Sequence, residues 1–520
     1  MMKNKFVLVA LLATLVYGWN YWGTSIYILD EAKNAGCAAE MMQRGDWIIP
    51  MFNNEFHDKP AVQYYFMMAA YSVFGVNAFS ARFFSVVFGV LTVLSVFWFT
   101  RRILHEKTAF YASLLLISSL QMAYQFRMAV PDPYLLFFLT TGLLSFYVGY
   151  SENRPGFLYT FYAFIGLAFV AKGPIAFALP GLIVLLFLIW RKDFSWSRLM
   201  ALRLIPGVLL TLIVGLPWYI AVGFATHWTW PEYFFITHNL NRYVTTFEGH
   251  GGFPLDTLVI VIAALLPVSV FIPQMIKMVW MEKKNQPFLL FSLVVCLTLI
   301  GFFLFSKTVL PSYPAPCIPF AAVLLAYFVD RVETEKSNRT KKLVINGAVF
   351  ILISICFPVA AFIALRMDPE LNELTHLAYY FIVIPVGAVV AFLYLLRSDM
   401  QRAFYSYVIS FSVVLILAFT FVLPATDARN PVSRSMPLIR QYDRPVAYFD
   451  WINSAYVFQY GKPIPKLEND ADLDEFVRKN GKVLIISSKK AWENSSNKDF
   501  KIIFECKDLF ENPTSVVLIN

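Results

Sequence analysis

Charge is what this sequence has least of. Only 15% of its 520 residues are Asp, Glu, Lys or Arg, against about 25% in an ordinary soluble domain. That shortage excludes a chain folded mainly in water. Cysteine is scarce too: Cys37, Cys296, Cys317, Cys356 and Cys506 form no CxxC pair and no metal-ligand spacing. Three of them lie in apolar runs and read as small buried hydrophobes. No internal repeat and no low-complexity stretch is present, which counts against an inverted-repeat transporter and a solenoid. The formal charge of +9 is spread over short loops rather than gathered in one patch, so nucleic acid is not an expected partner.

What is abundant is apolar surface: 58% of residues are hydrophobic, with 51 Phe and 27 Tyr. Runs of roughly 17–25 apolar residues can cross a bilayer, and about thirteen are present. They lie near 6–22, 79–100, 108–126, 132–150, 157–171, 174–190, 204–224, 254–276, 287–306, 310–329, 343–365, 376–396 and 403–424. Lys3, Lys5 and the run Phe6 to Trp22 resemble a signal peptide, yet Tyr17, Trp19, Tyr21 and Trp22 occupy the place of small cleavage-site residues. An uncleaved first span with its N-terminus inside is the expectation. Alternate loops then carry Arg101-Arg102 to Lys107, Arg154, Arg191 to Arg203, Lys277 to Lys284, Arg331 to Lys342 and Arg397 to Arg402. All are basic, as cytoplasmic loops should be, and the C-terminus falls outside.

Ala61 to Gly75 is apolar but short, and counting it as a span would invert every later loop. It reads as an interfacial or re-entrant helix begun by Pro60. Asp30 to Arg44 reads as a helix ended by Gly45, so the outward loop 23–78 should be structured, as should 225–253. After Pro424 the composition turns polar, with β-type runs at Val446 to Phe449, Val483 to Ser487, Lys501 to Phe504 and Ser515 to Ile519. An amphipathic helix is expected between strands at Asp470 to Lys479. The expected fold class is therefore an α-helical polytopic membrane protein, residues 1–424, with a small C-terminal α/β domain, residues 425–520, on the outer face.

Cations on that outer face are out of place by the positive-inside rule: Lys59, Arg82, Arg127, Lys172 and Lys307. Such a ring points to a bound anion. Carboxylates accompany it. Asp30-Glu31 opens a helix and reads either as capping or as a general base. Asp132, between Pro131 and Pro133, opens a span and is also fixed well enough for chemistry. Lys172-Gly173-Pro174, Ser306-Lys307-Thr308 and Leu310-Pro311-Ser312-Tyr313 put cations and hydroxyls at broken helix ends. Such irregular backbone is tolerated at membrane depth mainly where it lines a cavity. His57 and Asp58, with His238, are metal-ligand types without diagnostic spacing. His238, Asn239 and Arg242 lie in a Trp-rich outward loop, where His238 and Arg242 would share a helix face.

These residues, in this order, resemble the bacterial aminoarabinose-transferase and protein-mannosyltransferase superfamily of polyprenyl-phosphate-sugar-dependent glycosyltransferases, which have the type C membrane fold. The match runs from Asp30-Glu31 through Gly45-Asp46-Trp47, Asp58-Lys59-Pro60, Arg82, Pro131-Asp132-Pro133, Lys172-Gly173-Pro174, His238-Asn239 and Lys307 to Leu310-Pro311-Ser312-Tyr313. The resemblance implies transfer of a sugar from a polyprenyl-phosphate carrier to lipid A, a protein or a glycan at the outer face of the bacterial cytoplasmic membrane. It implies that Asp30 is central to catalysis, that Asp132 is a second functional carboxylate, and that Lys59 contacts the lipid phosphate. It also brings in a divalent metal near Asp58 and His238, although Asp58 stands where aminoarabinose transferases usually have Glu. No other cofactor is expected.

The residues lead to the same chemistry by their own route. Negative charge grows on the phosphate as the glycosidic bond breaks, and fixed cations stabilise it most at that moment. Lys59, Lys307 and Arg127 are expected in this role, with Lys172, Arg82 and Tyr313 beside them. Asp30, Glu31 or Asp132 would deprotonate a hydroxyl acceptor; an acceptor phosphate would need no base. A transporter or flippase of lipid-linked sugars is the competing reading, but alternating access needs polar groups near mid-bilayer.

Overall fold

The computed structural model describes residues 2–241, 255–306, 310–335, 340–497, 499–509 and 512–520. Among them, nine helices are long and apolar enough to cross a membrane: Ala78–Ile103, Asp132–Ser151, Pro155–Lys172, Leu204–Ala225, Pro287–Leu304, Ala315–Glu335, Lys341–Met367, Asn372–Leu396 and Met400–Asp427. The remaining expected spans differ from their sequence reading. The run 254–276 is bent by 111° between Asp256–Ala264 and Val268–Glu282, at a break that contains Pro267, whose ring cannot supply the helical N–H. The run 108–126 divides at Ser119, which leaves the helical conformation (ψ 119°) while its hydroxyl donates to the Ala264 carbonyl at 2.6 Å. The first and the 174–190 runs form shorter apolar helices, Asn4–Gly18 and Ile175–Trp190.

The elements that build the outward end are α1 (Met2–Gly18), α2 (Leu29–Arg44), β1 (Met51–Phe52), β2 (Glu55–Phe56), α3 (Val62–Phe74) and α4 (Ala78–Ile103). They are followed by α5 (Glu106–Ser118), α6 (Leu120–Gln125), α7 (Asp132–Ser151), α8 (Pro155–Lys172) and α9 (Ile175–Trp190). Helix α2 stops at Gly45, whose φ of 67° turns the chain while its N–H closes on the Met41 and Met42 carbonyls. The hairpin β1–β2 turns at Asn53 and Asn54, with φ of 55° and 65°. The Glu40 carboxylate accepts both turn N–H groups, at 2.7 and 3.2 Å. A reciprocal capping box between Asn77 and Ser80 starts α4.

The basic loops gather at one end of the bundle. Lys5 and Arg101 meet Glu106, Arg102 meets Glu152, and Lys107 meets Glu333. At the other end sits a five-stranded sheet of order β4-β3-β5-β7-β6, from β3 (Val446–Phe449), β4 (Lys466–Leu467), β5 (Leu484–Ser488), β6 (Lys501–Lys507) and β7 (Thr514–Ile519). Strand β3 runs parallel to β4 and β5, while β7 is antiparallel to β5 and β6. The four β-type runs and the helix Asp470–Asn480 fall where the sequence puts them; β4 and the helices Pro431–Tyr442 and Ser454–Tyr460 are additional. β3 and β5 are buried along their whole length; β3 is apolar throughout and β5 opens on the apolar run Leu484 to Ile486.

This C-terminal unit is seated on the first outward loop. Helix Ser454–Tyr460 packs against α2. Asn53 exchanges two hydrogen bonds with the Ile464 backbone, at 3.1 and 2.7 Å. The Leu509 N–H donates to the Tyr27 hydroxyl at 3.1 Å. Ser25 donates through both its N–H and its hydroxyl to Asp427, each at 2.7 Å.

Candidate functional site

The cavity forms where helix ends converge. Asp30 comes from the first turn of α2, and Asp58-Lys59-Pro60 from the segment leading into α3. Pro131-Asp132 opens α7, Lys172 closes α8, and Ser306, Leu310, Ser312 and Tyr313 follow the helix Pro287–Leu304. The cavity encloses about 1230 Å³ of non-atom space, its open mouth included. Below the charged rim its wall is apolar: Leu135 and Leu139 of α7, Ile175 and Leu179 of α9, and Leu299 and Phe303 from Pro287–Leu304. One cavity therefore joins a charged mouth to a hydrocarbon-like slot.

The charges in it are arranged in pairs. Lys172 Nζ lies 2.5 Å from Asp132 Oδ1 and 5.4 Å from the centre of the Tyr313 ring. Lys59 donates to Asp58, whose other oxygen is 3.3 Å from His57 Nδ1. The exposed Asp30 carboxylate has no hydrogen-bond or ion-pair partner among the described residues. Gly173 makes the Lys172 corner: its φ is 87°, and a Cβ there would meet the Phe234 ring at 2.6 Å.

Asn34, one helical turn beyond Asp30, ties this arrangement together. Its Oδ1 accepts from Gln63 Nε2 at 2.8 Å and from the Tyr64 hydroxyl at 3.2 Å, and lies 3.3 Å from His57 Nε2. Its Nδ2 donates to the Asp30 carbonyl at 2.6 Å. The sequence reading missed Asn34. Its i, i+4 spacing from Asp30 puts it on the same helix face, which was the signal available. Burial pushes the His57 imidazole down to about 4, so the ring is neutral at neutral pH and serves as a packed hydrogen-bonding group.

Three expected site residues lie elsewhere. Glu31 is buried and holds Arg82 in a two-pronged pair, Nε to Oε1 and Nη2 to Oε2, both 2.7 Å. The same carboxylate accepts the Ala129 N–H at 2.9 Å. Arg82 spends its remaining donors on the Tyr21, Thr24 and Ser25 carbonyls and the Thr24 hydroxyl, at 2.9–3.0 Å. Neither residue lines the cavity. Together they brace the segment that presents Asp30 against the one that presents Asp132. Arg127 is also diverted: it donates to the Tyr17 and Trp19 carbonyls and its guanidinium sits 3.6 Å from the Phe419 ring centre. A buried guanidinium far from a ligand satisfies its donors on backbone carbonyls, which is what these two arginines do. Neither Asp30 nor Glu31 caps α2, since Ile28 is the N-cap and no side chain caps the helix, but both stand in its first turn, at the positive end of the helix dipole.

Lys307 and Arg242 lie outside the described residues, as do the side chains of His238 and Asn239, whose backbone belongs to the π-helical segment Tyr233–Asn241. Tyr313 does line the cavity. Among the described residues no group of three His, Cys, Asp or Glu side chains converges on a metal position. Asp58 is engaged by Lys59 and His57, and the side chain of its expected companion His238 lies outside the described residues.

The fold and the cavity define a class of protein, a multi-pass membrane protein with a charged cavity at one end of the bundle. Comparison with known proteins specifies it. The family model described as dolichyl-phosphate-mannose-protein mannosyltransferase matches residues 58–220. The undecaprenyl phosphate-alpha-4-amino-4-deoxy-L-arabinose arabinosyl transferase 2 of Pseudomonas fluorescens (strain Pf0-1) is 28% identical over 423 residues, 79% of this chain and 74% of the relative. The corresponding transferase of Edwardsiella ictaluri (strain 93-146) is 29% identical over 66% of this chain, and the match spans 62% of that relative's length. In fold, the chain is similar to ArnT from Cupriavidus metallidurans bound to undecaprenyl phosphate, with a TM-score of 0.81 at 20% identity, covering 98% of this chain and 97% of that one. It is more distantly similar to the oligosaccharyltransferase AglB from Archaeoglobus fulgidus, with a TM-score of 0.51 at 13% identity, covering 93% and 69%. The chain is thus similar in sequence to aminoarabinose transferases and, over residues 58–220, to the protein mannosyltransferase family, and it shares the fold of the former.

Proposed function

We propose that this protein transfers a monosaccharide from a polyprenyl-phosphate carrier to an acceptor at the outer face of a bacterial cytoplasmic membrane. The observation that carries the reading is the single cavity in which Lys59 and Lys172 stand beside Asp30 and Asp132 at the top of an apolar slot. A polyprenyl-phosphate sugar has the same division, an anionic head on a hydrocarbon tail. On this reading the N-terminus and basic loops are cytoplasmic, residues 1–424 hold the site, and residues 425–520 lie outside the membrane.

Lys59 and Lys172 then hold the phosphate and stabilise the charge that collects on it as the sugar leaves. Tyr313 lies against Lys172, and Lys307 follows the cavity residue Ser306 in sequence. Asp30, the carboxylate with a free face, takes the proton from a hydroxyl acceptor. The relatives' names make a 4-amino-4-deoxy-L-arabinose carrier the first donor to test, with lipid A, protein and glycan acceptors in parallel. His238, Asn239 and Arg242 are assigned to the acceptor side. Purified protein is expected to convert such a donor to free polyprenyl phosphate and a glycosylated acceptor, read by mass spectrometry. Asp30→Asn and Lys59→Ala should lower transfer at least about a hundredfold, a typical effect for a positioned acid–base group or a transition-state cation. Transfer at the unmodified rate by both variants, correctly inserted, overturns the reading.

A further inference from the structure

We propose that the donor phosphate takes Lys172 from Asp132, and that this exchange unmasks the second carboxylate of the site. The inference rests on the reading of the cavity as the donor-phosphate site. The described charged side chains that line it are the three carboxylates of Asp30, Asp58 and Asp132 and the two ammonium groups of Lys59 and Lys172. Both ammonium groups are engaged by carboxylates, Lys172 at 2.5 Å from Asp132 and Lys59 on Asp58. A phosphodiester that joined without displacing anything would sit among carboxylates whose charge exceeds that of these lysines. Like charges a few ångströms apart in a partly buried cavity repel strongly. Among these described groups, the anion gains a lysine only by competing with a carboxylate.

Lys172 is the lysine built to change partner. Asp58 and Lys59 are sequence neighbours, so they stay close whatever binds. Lys172 and Asp132 come from different helices, at the end of α8 and the start of α7. Asp132 has a short side chain between two prolines and stays in place. Lys172 ends a flexible four-carbon stem on a backbone pinned by Gly173 and Pro174, so its ammonium can move while its Cα does not. The Tyr313 ring, 5.4 Å away, gives that ammonium a second surface to lie on as it leaves Asp132.

The consequence is an order of events. With Asp132 held by Lys172, Asp30 is the carboxylate open to an acceptor. Donor binding exposes Asp132 as well, and the site becomes complete for the acceptor after the donor has arrived. No covalent bond changes in the exchange. In the transfer that follows, the bond from sugar C1 to the phosphate oxygen breaks and its electron pair leaves on the phosphate. The acceptor oxygen then bonds to C1, and a hydroxyl acceptor gives its proton to a carboxylate.

Undecaprenyl phosphate, added to the full-length protein in lipid nanodiscs, tests this by its dissociation constant. Asp132→Asn should bind it about tenfold tighter than the unmodified protein, the equivalent of 1.4 kcal/mol, while sugar transfer falls. Lys172→Ala should bind it more weakly, and the double variant Lys172→Ala/Asp132→Asn should still bind it more weakly than Asp132→Asn alone, because the lysine that the phosphate takes is gone. Asp132→Ser, which is small and cannot pair, should repeat the tightening if Asp132→Asn is poorly folded. Unchanged or weaker binding in the folded Asp132 variants overturns the exchange. If Lys59→Ala and Lys172→Ala both bind undecaprenyl phosphate as the unmodified protein does, the reading of the cavity itself fails, a separate result.

Discussion

At the scale of single residues, the lesson of the site is that a cation out of place is not always a ligand cation. Five outward Lys and Arg residues stood out in the sequence, and of the four described, two serve the cavity and two serve the backbone. Lys59 and Lys172 reach the cavity because their ammonium groups sit at helix ends that open into it. Arg82 and Arg127 are consumed by carbonyls, and Arg82 also by Glu31. Removing one member of a buried ion pair leaves the other charged and unpaired, which costs about 3–5 kcal/mol. Arg82→Ala is therefore expected to lower the melting temperature in detergent sharply. Lys59→Ala, with its partly exposed ammonium, should leave it nearly unchanged and act on transfer. A thermal melt of both variants separates the bracing role from the binding one.

At the scale of elements, helix ends make the chemistry. Helix α2 presents Asp30, α7 presents Asp132, and α8 delivers Lys172 through the Gly173 turn. That turn needs glycine twice over, for its φ of 87° and for the Phe234 ring that would lie 2.6 Å from a Cβ. A non-glycine residue forced into such a conformation costs of order 1–3 kcal/mol before any clash is counted. Gly173→Ala should thus shift Lys172 and lower sugar transfer more than it lowers expression, measured as rate per folded protein. The outward loop's order was legible in the sequence, because Gly45 and Pro60 are strong boundary signals. The bend at residues 264–268 was not. An apolar run of span length looks continuous in sequence, and a proline within it signals either a kink or a break.

At the scale of the whole molecule, the C-terminal unit and the membrane bundle share a structural junction. The loop that leads into α2 is held by Asp427 through Ser25 and by Leu509 through Tyr27, and the hairpin tip by Ile464 through Asn53. These contacts join residues 402 to 482 positions apart in sequence. Each hydrogen bond contributes only about 0.5–1.5 kcal/mol net, yet together they fix the segment that carries Asp30. Asn53→Ala, which removes two of these bonds, is expected to lose about 1–3 kcal/mol of stability on that scale. It should also raise proteolytic nicking between residues 45 and 60, read by limited proteolysis against the unmodified protein.

Composition and order of motifs by themselves determined the membrane class, the basic end of the bundle, the polar α/β tail and the resemblance to a superfamily, because hydropathy, charge bias and turn chemistry are local properties that a chain carries wherever it folds. They also named Asp30, Lys59, Asp132, Lys172 and Tyr313, all of which line one cavity. Only the tertiary structure decided that Glu31 braces Arg82, that Arg127 faces Phe419, that Asn34 is the hub and that Lys172 is held by Asp132. Which partner a charged side chain takes depends on what burial leaves within reach, and that distance is set by packing between segments far apart in the chain.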